Sequence, residues 1–203
     1  MSADRARRGL LVGLAAACLV HVAGGAGPAL AQDRGASSFQ ARIDELIEDG
    51  FAFPLGKTRT EITASLGRPL AAAVRRIPNQ HRPSQTDELH ELTYDGLRIL
   101  LYRVTVDNRE LVTDISLTGV GYRVKWGLGV GSTKEEVRRV LGPGFTALPA
   151  PESRLGSPAG GRPCGESDGN CTYRYAASEQ TSHVYFSFRD GRVERLDWVF
   201  WVD

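Results

Sequence analysis

One short stretch of this chain occurs twice, and that duplication constrains the fold more than any other feature. Leu55-Gly56-Lys57-Thr58-Arg59-Thr60-Glu61-Ile62-Thr63-Ala64-Ser65-Leu66-Gly67 matches Val130-Gly131-Ser132-Thr133-Lys134-Glu135-Glu136-Val137-Arg138-Arg139-Val140-Leu141-Gly142 at a constant spacing of 75, the step from Leu55 to Val130. Each copy reads aliphatic-Gly, a polar linker, Thr-x-x-Glu, an aliphatic residue and then Leu-Gly. Thr58 with Glu61, and Thr133 with Glu136, are capping boxes: the hydroxyl accepts from a free amide of the first turn while the carboxylate reaches back to the cap amide. Ile62, Ser65 and Leu66, like Val137, Val140 and Leu141, fall at i, i+3 and i+4 on one face of a short helix. Gly67 and Gly142 stop these helices, with Pro69 and Pro143 just beyond.

Downstream of each helix the pattern turns from helical to alternating. Strands are expected near Glu91–Tyr94, Arg98–Val106 and Leu111–Thr118 in the first copy, and near Cys171–Tyr175, His183–Phe188 and Arg192–Val202 in the second. Asp107-Asn108 and Asp190-Gly191 mark hairpin turns. A further helix precedes the first copy, capped at Ser38, striped by Phe39, Ile43, Leu46 and Ile47, and stopped at Gly50. A strand over Tyr122 to Trp126 is expected to join the halves. The expected fold is α+β: two tandem repeats of helix plus antiparallel meander, with the helices packed on one face of a curved sheet. The domain reading is residues 1–31 as a leader, 32–127 as the first repeat with its extra helix, and 128–203 as the second repeat with a Pro-, Gly- and Ser-rich loop.

The leader reading rests on the N-terminus. Arg5, Arg7 and Arg8 precede the apolar run Gly9 to Val20, and Ala29-Leu30-Ala31 closes the stretch, which is the build of a secretory signal peptide cleaved after Ala31. The run is short of the roughly 20 residues that span a bilayer, so no stable membrane span is expected. The expected location is periplasmic or secreted. Of the three cysteines, cleavage leaves Cys164 and Cys171. They are expected to form a structural disulfide in that oxidising setting, the glycine-rich residues between them closing a small ring.

The composition narrows the function. With 25 Lys and Arg against 24 Asp and Glu, the formal net charge is +1, so there is no basic excess to track a phosphate backbone and nucleic-acid binding is not expected. His81, His90 and His183 lack any metal-ligand or acid–base spacing and are expected to be solvated loop and strand-face residues. No G-x-S-x-G elbow is present. Gly127-Leu128-Gly129-Val130-Gly131 lacks the Walker lysine and the dinucleotide spacing, and reads as a turn feeding a helix. No catalytic residue, cofactor or metal site is expected.

What remains is a surface. Val184, Phe186, Phe188, Leu196, Trp198 and Phe200 would line the packed face of the last strands. His183, Tyr185, Ser187, Arg195, Asp197 and Trp201 would occupy the opposite face, with Arg174 nearby. In the first copy, Tyr102 and Arg103 are the polar-tipped members of a strand apolar on both sides. Tyr, Trp and Arg mixed with few small charges is the composition of protein-recognition surfaces. Tyr102, Tyr185, Arg195 and Trp201 are therefore the candidate partner-binding residues.

The two matching stretches, Leu55–Gly67 with Leu92–Leu117 and Val130–Gly142 with Tyr173–Trp198, resemble the BamE-like (SmpA/OmlA) outer-membrane assembly lipoproteins and the tandem-repeat beta-lactamase inhibitor proteins. The resemblance implies a non-enzymatic protein that binds another envelope or secreted protein through the face of its sheet. The alternative expectation is a small-molecule or lipid-binding periplasmic module.

Overall fold

The computed structural model describes residues 28–79, 81–144, 162–165, 167–179 and 181–201, and for 28–37 the backbone only. Three α-helices, α1 (Pro28–Glu48), α2 (Arg59–Leu66) and α3 (Lys134–Leu141), accompany seven strands. These are β1 (Ala71–Pro78), β2 (Thr86–Tyr94), β3 (Leu97–Arg103), β4 (Glu110–Leu117), β5 (Cys171–Ala176), β6 (His183–Arg189) and β7 (Arg192–Val199). All seven join one antiparallel sheet in the order β1-β2-β3-β4-β7-β6-β5. The expected leader lies mostly in residues 1–27 and the Pro-, Gly- and Ser-rich loop expected in the second repeat, Leu148 to Asn170, mostly in 145–161, both outside the described residues.

Both duplicated helix starts form as expected. The Glu61 amide donates to Thr58 Oγ1 at 3.3 Å and the Thr58 amide donates to Glu61 Oε2 at 3.1 Å. The corresponding distances at Thr133 and Glu136 are 3.1 and 2.8 Å. Gly67 and Gly142 end the helices at φ +79° and +76°, a left-handed region that glycine enters without steric cost.

The expected fold class does not hold. The chain is sheet-dominated: α2 and α3 are eight residues each and do not head two separate meanders packed on one face. Two physical facts account for this. First, β1 had no expected counterpart. It is an edge strand exposed along nearly its whole length, and with neither side buried its Ala-Ala-Ala-Val-Arg-Arg run carries no alternation to read. The first copy thus supplies four strands and the second three. Second, β4 pairs with β7 over Asp114–Leu117 and Leu196–Val199, fusing both sets into a single sheet. The expected strand at Tyr122–Trp126 is also absent. Val124 makes only an isolated bridge to Phe51, and Lys125–Gly127 is a 3₁₀ turn in which Trp126 takes φ +58°.

One hydrophobic core runs through the molecule. Ile43, Leu46 and Ile47 of α1, Ile62 of α2, and Val137 and Leu141 of α3 belong to one buried cluster with Leu92, Ile99, Ile115, Leu117, Phe186, Leu196 and Trp198 of the sheet. Phe51 stacks on Trp198 with ring centroids 5.4 Å apart. α1 is tied to the C-terminal strands. The Trp198 indole donates to the Leu46 carbonyl at 3.1 Å, Gln40 Nε2 donates to the Ala176 carbonyl at 3.1 Å, and the Ser178 amide donates to Asp44 at 2.7 Å.

Cys164 and Cys171 form a disulfide. It fastens residues 162–165 along β5, where Pro163 bridges Thr172 in parallel and the Thr172 amide donates to the Arg162 carbonyl at 2.8 Å. Lys134 Nζ donates to the Gly165 carbonyl at 2.6 Å, joining this loop to the start of α3. Among the described residues no helix is long and apolar enough to cross a membrane.

Candidate functional site

Side chains alternate across a strand, so committing Val184, Phe186, Leu196 and Trp198 to the core sends their neighbours to the other face. Two bulges, at Leu100/Leu101 and at Ser187/Phe188, keep this consistent. Each adds a residue, so that Val112 and Ile115, and likewise Val193 and Leu196, all reach the core. On the far face the strand registers align Arg174 (β5), Tyr185 (β6), Asp197 (β7), Ser116 (β4), Arg98 (β3) and Thr93 (β2) in one row. The adjacent row carries His183, Val199, Asp114, Leu100 and Glu91.

The middle of this polar face is deeply buried. Tyr185 is 2% exposed, His183 7%, and Asp114 and Asp197 1% each. Arg195 closes on Asp197 Oδ1 through Nε at 2.8 Å; its Nη2 lies equally near that oxygen but outside hydrogen-bonding geometry. Five buried side-chain atoms here have no hydrogen-bond partner: Arg174 Nε, His183 Nδ1, Tyr185 Oη, Arg195 Nη2 and Asp197 Oδ2. They are all the orphaned buried side-chain atoms among the described residues, and they sit on three adjacent strands of one face. A buried polar group without a partner costs about 1–3 kcal/mol, so the five together are a local concentration of unmet hydrogen-bonding capacity.

The electrostatics follow from burial. Asp197 is pushed above its ordinary range by burial, with the Asp114 charge adding to that push and Arg195 and Ser116 opposing it. His183 is held below its usual value by burial and by the Arg174 charge, which favours the neutral ring. Tyr185 is raised by burial. The patch therefore presents guanidinium donors, a phenol, a neutral imidazole and a carboxylate side by side.

Of the four expected contact residues, Tyr185 and Arg195 come together here on adjacent strands, with Ser187 paired to Arg195. Trp201 follows the end of β7 and is 63% exposed. Tyr102 stands elsewhere on the same face, paired with Leu89 and packed on the small cluster of Leu89 and Leu100. Its hydroxyl donates to Asp87. Asp87 also accepts from Asn79 Nδ2 at 2.6 Å, Gln85 Nε2 at 2.9 Å and the Thr105 amide at 3.0 Å. Burial works to raise this carboxyl, but those donors win and hold it far below the usual range. Tyr102 is thereby part of a lock between the β1–β2 and β3–β4 connections.

Sequence reasoning missed Asp114 and Ser116, although the alternation Asp114-Ile115-Ser116-Leu117 marks them as facing away from the core. The solvated reading of the histidines holds for His81 alone. His90 is buried with its Nε2 2.9 Å from Glu88 Oε2, which also accepts from Arg103 at 3.0 Å. No three of His, Cys, Asp and Glu among the described residues are grouped to hold a metal ion.

No family model matches the chain, and no curated protein matches it. Among solved structures it is similar to a DUF4309 family protein (YjgB) from Bacillus subtilis subsp. subtilis str. 168, at a TM-score of 0.41 and 14% identity, over 82% of this chain and 97% of that one.

Proposed function

We propose that this protein is an exported, non-enzymatic binding module that docks another envelope or secreted protein on the polar face of β4, β7, β6 and β5. The observation that carries the reading is the group of five orphaned buried atoms, two of which belong to the half-buried Arg174 and Arg195. A flat partner surface cannot reach atoms this deep. A loop tip can, and a carboxamide side chain on it would accept from the Arg174 and Arg195 guanidinium groups while donating to Asp197 Oδ2. The resemblance of the helix-cap motifs to the assembly lipoproteins and inhibitor proteins supports a binding role. The leader-like N-terminus supports export.

The test is crosslinked affinity capture in cells with the tagged chain, read by mass spectrometry, followed by titration of the purified partner. The expected result is one enriched envelope protein whose affinity falls at least about tenfold with Arg195→Ala or Arg174→Ala. A captured protein that binds both variants as tightly as the parent would overturn the reading.

The depth of the patch also favours a second reading, a small polar ligand held by Tyr185, His183 and Asp197. A copurified compound in native mass spectrometry, lost in Asp197→Asn, would support it.

A further inference from the structure

A second concavity lies apart from the polar sheet face, between the 3₁₀ turn, the loop into α3, α3 itself and the start of β7. It encloses about 490 Å³, and its walls carry Arg123, Arg139 and Arg192 with a single carboxylate, Glu136. Trp126 and Val130 supply its apolar surface.

Positive charge is in excess. Among the described residues, none of the three arginines has a carboxylate within ion-pair distance, whereas Arg98, Arg103, Arg109, Arg162, Arg189 and Arg195 each do. Glu136 offsets one of these charges: its carboxylate accepts from the cap amide of Thr133, which leads the causes that hold it below the usual range, and the Arg139 and Arg192 charges act on it in the same direction. Arg192 is held in place by donating Nη1 to the Gly131 carbonyl at 3.0 Å. Trp126 is exposed and takes a left-handed backbone that non-glycine residues rarely adopt, which sets its indole beside the arginines. In a chain of net charge +1, this groove holds two net positive charges beside an aromatic wall.

We infer that this groove is a docking site for an extended acidic segment of a partner protein, one that alternates carboxylate and apolar side chains. The three guanidinium groups are supplied to the groove wall by three different elements, and carboxylates spaced along an extended segment can pair with each of them in turn. The apolar residues between those carboxylates meet Trp126 and Val130. This inference stands independently of the reading of the sheet face.

The test is fluorescence anisotropy of a fluorescein-labelled hexapeptide, Glu-Leu-Glu-Leu-Glu-Leu, titrated with the full chain, with Lys-Leu-Lys-Leu-Lys-Leu as control. Saturable binding of the acidic peptide alone is expected. It should weaken steadily as sodium chloride is raised and fall at least about tenfold in the double variant Arg123→Ala, Arg139→Ala. Among the described residues those two side chains make no hydrogen bond or ion pair, and an unchanged melting curve will show that the fold survives the change. Arg195→Ala should leave peptide binding intact, which separates this groove from the sheet face. Equal binding by the double variant, loss of binding in Arg195→Ala, no saturable binding, or displacement of the peptide by an equal concentration of inorganic phosphate would each overturn it.

Discussion

Tyr185 shows what a single residue is kept for. Its hydroxyl is buried and unpartnered, so Tyr185→Phe should stabilise the free protein by roughly 1 kcal/mol while weakening any partner that hydrogen-bonds there. Urea unfolding checks the first half, and a loss of stability would mean that the hydroxyl is satisfied after all. His183 sets a pH dependence. Its folded-state value is held below 6.5, so as pH falls through that value the unfolded chain gains a proton that the folded chain does not. Stability therefore declines from about pH 6.5 downward, until the folded ring protonates as well. His183→Gln should shrink the difference in melting temperature between about pH 7.5 and about pH 5.5, and an unchanged difference would exclude His183 as its source. Asp87 is the opposite kind of residue, satisfied by donors from every side. Asp87→Ala should cost on the order of 3 kcal/mol in urea unfolding, because it orphans the Asn79, Gln85, Tyr102 and Thr105 donors together.

At the scale of elements, the helix caps carry a matched pair of expectations. Thr58→Ala and Thr133→Ala should each cost about 1 kcal/mol by denaturant titration, and no loss in either would mean that the cap contributes nothing there. These caps were legible because they are local: four residues specify the whole geometry. The six strands β2 to β7 were legible too, since each buries at least one face and so carries either an alternation or, as in β3, a short apolar run. What the chain did not reveal was set by longer-range pairing. β1 buries neither face and leaves no period, and nothing in Leu111–Leu117 or Arg192–Val199 announces that these strands will lie together. The candidate site was half legible for the same reason. Alternation identified Tyr185, Arg195, His183 and Asp197, while their burial depends on neighbours supplied by other strands. Tyr102 was read as a surface phenol because its partner Asp87 lies across a hairpin.

For the whole molecule, one core shared by residues of α1, α2, α3 and six strands implies that the chain melts as a unit. A single sigmoidal unfolding curve, coincident by fluorescence and circular dichroism, is expected, and two resolved transitions would contradict it. The sheet itself has two unlike ends. At β5 the strand is walled by the segment that the Cys164–Cys171 bond fastens there, whereas β1 offers its outer backbone to solvent, with Val74 55% exposed and only Arg75 and Arg76 as charged guards. A ribbon with one sealed margin and one open margin can join another copy only once, open side to open side, and then nothing is left to extend. On that reading the disulfide is a terminator, and reducing it is expected to let self-association run past a pair, which sedimentation with and without reductant would check.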